Sequence, residues 1–169
     1  MPISFWQVDP HVEVDPFSYT TRLKVRQYEL DANGHVNNAV YLNYAEHVTV
    51  EHAELSGFGA EWAKQRGGAW VIHRSEVIYH SPATVGDELE LTVKVLMVKG
   101  VRGLRKTTIT KLPDQQPVAE VLTEWVWISK ATGLPSPLPS DIVEVYKDLD
   151  PDPSIKAWLR LWKNKRQQI

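Results

Sequence analysis

The chain has 169 residues, of which 43% are hydrophobic and 24% charged, with a formal net charge of −2. That length suits one domain with a full core, and the charge balance gives no electrostatic reason to bind nucleic acid. The absence of cysteine excludes disulfides, Cys-ligated zinc, iron–sulfur clusters and a thiol nucleophile, and fits a reducing compartment. No apolar run is long enough for a transmembrane segment. The first ten residues lack the basic start and apolar core of a signal peptide, so a cytoplasmic location is expected.

Residues 1–19 carry Asp9-Pro10 and Asp15-Pro16 and read as an irregular leader. Period-two alternation predicts a strand over residues 20–27. A turn follows in which Asp31, Asn33 and His35 sit two residues apart, so an extended backbone would point all three side chains one way. Gly34 permits a tight turn, and Asn37 or Asn38 offers a cap to the next helix. That helix is predicted over residues 38–56, because Val40, Tyr41, Tyr44, Ala45, Val48, His52 and Leu55 recur at three and four. Gly57 ends it.

A short helical turn is expected at residues 61–66, then strands at 69–80, 88–98, 104–112 and 118–128. The last has bulky residues on both faces and should be covered on both. After a Pro-rich loop, helices are expected at 140–148 and 154–167. The second carries Ile155, Trp158, Leu159 and Trp162 on one side and Arg160, Lys163, Lys165 and Arg166 near its end. Packing onto the body or a neighbouring subunit is expected of it rather than a membrane-surface role. The order predicts an α+β domain, one long helix against a five-stranded antiparallel sheet. A sheet edge or face left open would be closed by a second copy, giving a homodimer or homotetramer.

An acid, an amide and an imidazole thus converge on a helix start, a place suited to holding a carbonyl and attacking it. Residues 91–112 contain Lys94, Lys99, Arg102, Arg105, Lys106 and Lys111 and no acid. His47, Glu51 and His52 share a helix, but no third ligand is spaced to join them, so no metal site is expected.

The segment Glu29-Leu-Asp-Ala-Asn-Gly-His-Val-Asn-Asn-Ala-Val-Tyr resembles the signature of hotdog-fold thioesterases of the 4-hydroxybenzoyl-CoA thioesterase type. It is also similar to plant and bacterial acyl-ACP thioesterases. The resemblance covers roughly residues 20–146, leaving 1–19 as a leader and 147–169 as a helical extension. It implies a hotdog fold and hydrolysis of an acyl-CoA or acyl-ACP thioester, without metal or redox cofactor, coenzyme A entering only within the substrate. Asp31 matches the family acid, as nucleophile or general base, and Asn33 and His35 match the groups beside it in the acyl-ACP branch. Glu76 resembles a functional Glu on that branch's second strand. Asn38 stands where another branch carries His. Backbone amides of Val36, Asn37, Asn38, Ala39 and Val40 are the expected oxyanion donors. Lys99, Arg102, Arg105 and Lys106 are the expected partners of the CoA phosphates. A non-catalytic acyl-CoA-binding module and a hydroxyacyl dehydratase are the alternatives on the same fold.

Overall fold

The computed structural model describes residues 14–165, with side chains as far as residue 160. The strands β1 (Ser18–Lys24), β2 (Gly68–Tyr79), β3 (Glu88–Lys99), β4 (Arg102–Lys111) and β5 (Gln116–Ser129) form one antiparallel sheet in the order β1-β3-β4-β5-β2. Helix α1 (Val40–Leu55) crosses its inner face. This is the α+β hotdog layout expected from the sequence.

Strand alternation decides which side chains α1 meets. Leu89, Leu91 and Val93 of β3, Ile109 of β4 and Ala119 of β5 are buried in one cluster with Tyr41, Tyr44 and Val48 of α1. Each large apolar side chain so buried contributes about 1.5–3 kcal/mol. That outweighs the few tenths of a kcal/mol by which Val and Thr disfavour a helix. At its C-terminus Gly57 turns left-handed with φ 83°. The Phe58 amide then donates to the Ala53 carbonyl at 2.8 Å and the Gly57 amide to Glu54 at 3.3 Å, a Schellman closure.

A second cluster closes the other end of the sheet. Helices α2 (Ala60–Gln65) and α3 (Ser140–Tyr146) bring Trp62, Ile142 and Tyr146 onto Val95, Val98 and Trp127. The Trp62 indole donates to Asp141 at 2.9 Å, and Arg66 pairs with the same carboxylate. Helix α4 (Pro153–Lys165) lies on the outer face. There the Trp158 indole donates to Glu76 at 2.7 Å, and the Arg74 guanidinium stacks 3.2 Å from a Trp158 ring centroid. Packing onto the body is therefore what this helix does, and its own chain covers part of the face that a second copy was expected to cover. The side chains of Trp162, Lys163, Lys165 and Arg166 lie outside those described. Among the described residues no helix is long and apolar enough to cross a membrane.

Most boundaries fall within two residues of the sequence expectation, and the largest difference is at the end of β1. β1 stops at Lys24 and the chain enters a 3-10 turn, Gln27–Glu29. The Glu29 carboxylate reaches back to the Arg26 amide at 2.8 Å and the Arg26 guanidinium at 2.9 Å. This reciprocal capping ends the strand before its period-two pattern runs out.

His52, on α1, is fully buried. Its Nε2 lies 2.8 Å from the Asp15 carbonyl, so Nε2 carries the proton and Nδ1 accepts from Arg105 Nη1 at 2.9 Å. Burial, then the Arg105 charge, push its pKa below the ordinary histidine value of 6.5. A depressed native value means that the stabilisation is complete above about 6.5 and is lost as pH falls through the native value. We therefore expect Tm to decline as pH is lowered from about 6.5, with a shallower decline in His52→Gln. Equal slopes for both proteins in a pH series of melting curves would contradict this.

Candidate active site

The residues of the signature form a closed turn rather than an extended stretch. The Asp31 amide donates to the His35 carbonyl at 2.7 Å and the Gly34 amide to the Asp31 carbonyl at 3.1 Å. Gly34 takes φ 76°, with open space where a Cβ would stand. The Asp31 side chain folds into its own turn, Oδ1 accepting from the amides of Asn33 at 2.8 Å and His35 at 3.2 Å. Asp31, Asn33 and His35 are thus brought together, but through the carboxylate and two backbone amides and not by a shared strand face. The Asn33 and His35 side chains are exposed. Asp31 Oδ2 makes no hydrogen bond among the described residues.

The turn is held from below. The Leu30–Val36 bridge closes it, the Val36 amide donates to Ala83 at 2.8 Å, and Thr84 Oγ1 donates to the Gly34 carbonyl at 2.9 Å. Glu29, only 7% exposed, accepts the Tyr44 hydroxyl at 2.7 Å. Burial pushes the Glu29 pKa up, but bonds from the Arg26 amide, Tyr44 and the Arg26 guanidinium outweigh it and hold the group ionised below its usual range. Tyr44 is pushed above the usual phenol value by burial and by that carboxylate.

Four of the five amides expected to serve an oxyanion are already engaged. Val36 donates to Ala83 as above, Asn37 to the Glu29 carbonyl at 2.9 Å, and Val40 to the Asn37 carbonyl at 2.9 Å. The Ala39 amide is taken at 2.9 Å by Asn37 Oδ1, which makes Asn37 the capping side chain. The Asn38 amide alone of these makes no hydrogen bond among the described residues. Its carbonyl accepts the Tyr79 hydroxyl at 3.0 Å, tying the end of β2 to the entrance of α1. Tyr79 in turn meets Tyr41, ring centroids 5.6 Å apart. Tyr41 is buried, and burial raises its pKa, with the Asp31 charge adding to the effect.

Glu76 is not brought to this turn. Ser75 bonds Thr123 on the inner face, so Glu76, one residue on, faces outward against Trp158. Nor do the basic residues form one patch. Arg102 donates to the buried Glu124 at 2.7 Å, and Lys106 pairs with Glu120, which also holds His80 at 2.9 Å. Arg105 lies beneath α1 against His52. Lys99 is exposed where β3 turns into β4. Sequence reasoning passed over Glu29, Tyr44, Tyr79 and Thr84. Only Arg26 and Glu29, three apart like a capping box, left a local signal.

A cavity of about 350 Å³ lies between α1, α2 and the ends of β2, β3 and β4, lined largely by apolar side chains. It opens beside the later turns of α1 and not beside the Asp31 turn of the same chain.

A family model described as the thioesterase-like superfamily matches residues 25–159. The chain is 34% identical over 112 residues to the long-chain acyl-CoA thioesterase FadM of Escherichia coli, covering 66% of this chain and 84% of that one. It is 30% identical over 152 residues to the chloroplastic acyl-acyl carrier protein thioesterase ATL3 of Arabidopsis thaliana, covering 88% and 80%. The solved structure of YbaW from Escherichia coli superposes with a TM-score of 0.68 at 32% identity, covering 74% of this chain and 93% of that one. With the match, the fold and the turn in agreement, the chain belongs to the thioesterase-like superfamily and is a hotdog-fold thioester hydrolase.

Proposed function

We propose that the chain cleaves the thioester of an acyl-CoA or acyl-carrier-protein substrate, with Asp31 as the reacting acid. The observation that carries this reading is that one carboxylate oxygen, Asp31 Oδ2, and one amide, Asn38 at the start of α1, are left without a hydrogen bond among the described residues. Two backbone amides fix the other oxygen of Asp31, so Oδ2 is presented without a rearrangement. The Asn38 amide at a helix start suits the oxyanion that forms as the carbonyl is attacked. Asp31 either attacks the carbonyl carbon, expelling the thiolate and leaving a mixed anhydride for water to hydrolyse, or removes a proton from the attacking water. His35 and Asn33, exposed on the turn, orient that water. No metal or redox cofactor enters either route.

The acyl group needs an apolar pocket, and β2 supports a source for it. Among the described residues β2 is an edge strand, paired only with β5, and Val71, Ile72, Ile78 and Tyr79 are exposed along it. A second copy added antiparallel at this edge would satisfy its free backbone groups. Pairing about the strand midpoint sets the Gly68–Trp70 end of one copy beside Tyr79 of the other. Gly68, Ala69 and Trp70 line the cavity, and Tyr79 holds Asn38. Each cavity then serves the Asp31 turn of its neighbour. Lys99 is the member of the basic run offered to phosphates of CoA or of a carrier's prosthetic group.

Thiol release measured across acyl-CoA and acyl-ACP panels tests the reading. Asp31→Asn should lose roughly a hundredfold or more of turnover, the cost of an acid–base or nucleophilic group, with Tm little changed. A folded mutant with near-normal turnover would remove Asp31 from the chemistry.

The shared site has its own consequence. Asp31→Asn and Ala69→Trp should each be inactive alone. Mixed by co-expression, they should regain about a quarter of wild-type activity, since half of randomly assorted dimers keep one intact pair. Mixtures no more active than the separate mutants would place pocket and acid in one chain.

A further inference from the structure

We infer that the cavity recognises an acyl group whose far end carries a carboxylate, bound by the Arg105 guanidinium. This rests on the thioesterase reading above and narrows its substrate class.

Arg105 projects from the inner face of β4, beneath α1, and lines the cavity with Phe58, Trp70, Met97 and Trp125. Its one hydrogen bond among the described residues is to His52 Nδ1. That acceptor is neutral. Nε2 of the same ring points at the Asp15 carbonyl and keeps the proton, so Nδ1 offers a lone pair and no charge. Arg102 and Lys106, the other cations of β4 nearby, each have a carboxylate partner, whereas Arg105 has none among the described residues. Burial lowers its pKa, and the only opposing influence is the distant phenol of Tyr146. Arg105 as a residue is nevertheless only half-buried, and it lines the cavity.

A second, independent observation lies in the same wall. The Trp125 indole Nε1 is buried with no hydrogen-bond partner, and Trp125 also lines the cavity. A buried donor left unpaired costs about 1–3 kcal/mol, and an uncompensated buried charge costs more. The space is largely apolar, though Glu46, Glu54 and Lys130 also border it. The guanidinium asks for an anionic acceptor. The indole N–H, closed off from the space in this structure, needs a small side-chain rotation to share that acceptor. A plain hydrocarbon tail answers neither. A carboxylate on the distal carbon answers both, while the methylenes between it and the thioester take the apolar walls.

The test compares acyl-CoAs of matched chain length, hexanoyl and octanoyl against adipoyl and suberoyl, by thiol release. Wild type should favour the dicarboxylic monothioester by roughly tenfold or more in kcat/KM, the scale of one buried charge-assisted bond. Arg105→Met should lower that ratio by a similar factor, Trp125→Phe by less, and Arg105→Lys should keep part of it. A wild-type ratio near one, or an Arg105→Met ratio equal to wild type, overturns the inference while leaving thioester hydrolysis intact. Should no acyl-CoA release thiol, the broader reading fails. Binding of free suberate against octanoate, followed by tryptophan fluorescence, then decides the cavity's preference separately. Tighter suberate binding that Arg105→Met abolishes supports the inference, and equal or weaker binding sinks it. If Arg105→Met does not fold, Trp125→Phe and Arg105→Lys carry both comparisons.

Discussion

The bond from the Tyr44 hydroxyl to the Glu29 carboxylate, 2.7 Å long and buried, joins the first turns of α1 to the segment that precedes it. Glu29 sits two residues before Asp31, and its carbonyl receives the Asn37 amide. One residue thereby grips the helix by its side chain and the helix entrance by its backbone. The Asp31 turn lies between these two grips. An ionised carboxylate in such a place is worth keeping only while its partners remain, because a lost donor would strand a buried charge. The same economy sets the turn's reactivity. Most backbone amides from Asp31 to Val40 are engaged, which leaves Asp31 Oδ2 and the Asn38 amide among the few groups without a partner among the described residues.

Much of the fold was legible because one pattern changes to another at clear points. Period two gives way to spacings of three and four at Val40, and returns at β2 after Gly57 and the short α2. Gly57 adopts the left-handed conformation its position suggested. The turn was misread for a physical reason. Spacing by two implies a common face only on an extended chain, and Asp at position 31 competes with extension by binding the amides two and four residues on. The capping role expected of Asn37 or Asn38 falls to Asn37, through the same kind of local bond. Tyr79 carried no local sign of its importance, since its partner lies across the fold, and the Arg26–Glu29 spacing gave no hint of the bond from Tyr44.

The basic run shows what a linear count of charges overlooks. Arg105 and Lys106 are neighbours in sequence, yet on a strand they face opposite sides. Lys106 borders the outer cavity beneath α4 with Glu120, and Arg105 borders the inner one. Arg102 turns to Glu124, which also has Arg74 within 3.8 Å. A row of cations on a central strand is therefore divided among three environments before any ligand arrives. Glu76 illustrates the same rule, since its strand position assigns it to Trp158 and not to the turn.

Glu124 and Arg105 make an instructive contrast within one sheet. Glu124 is buried and has two guanidinium groups nearby, so its charge is compensated. Arg105, half-buried beneath α1, receives from the described residues the lone pair of a neutral imidazole and no carboxylate. Replacing a lone buried charge by an apolar side chain is commonly stabilising, so folding alone gives no reason for Arg105. His52 gives it orientation without neutralising it, and the depressed histidine pKa keeps that arrangement intact at neutral pH. A group held so, charged and beside empty apolar space, has its compensation still to come. No described residue supplies it, which points to what enters the cavity, and the acyl chain of a thioester is the part of the substrate with the shape to reach it.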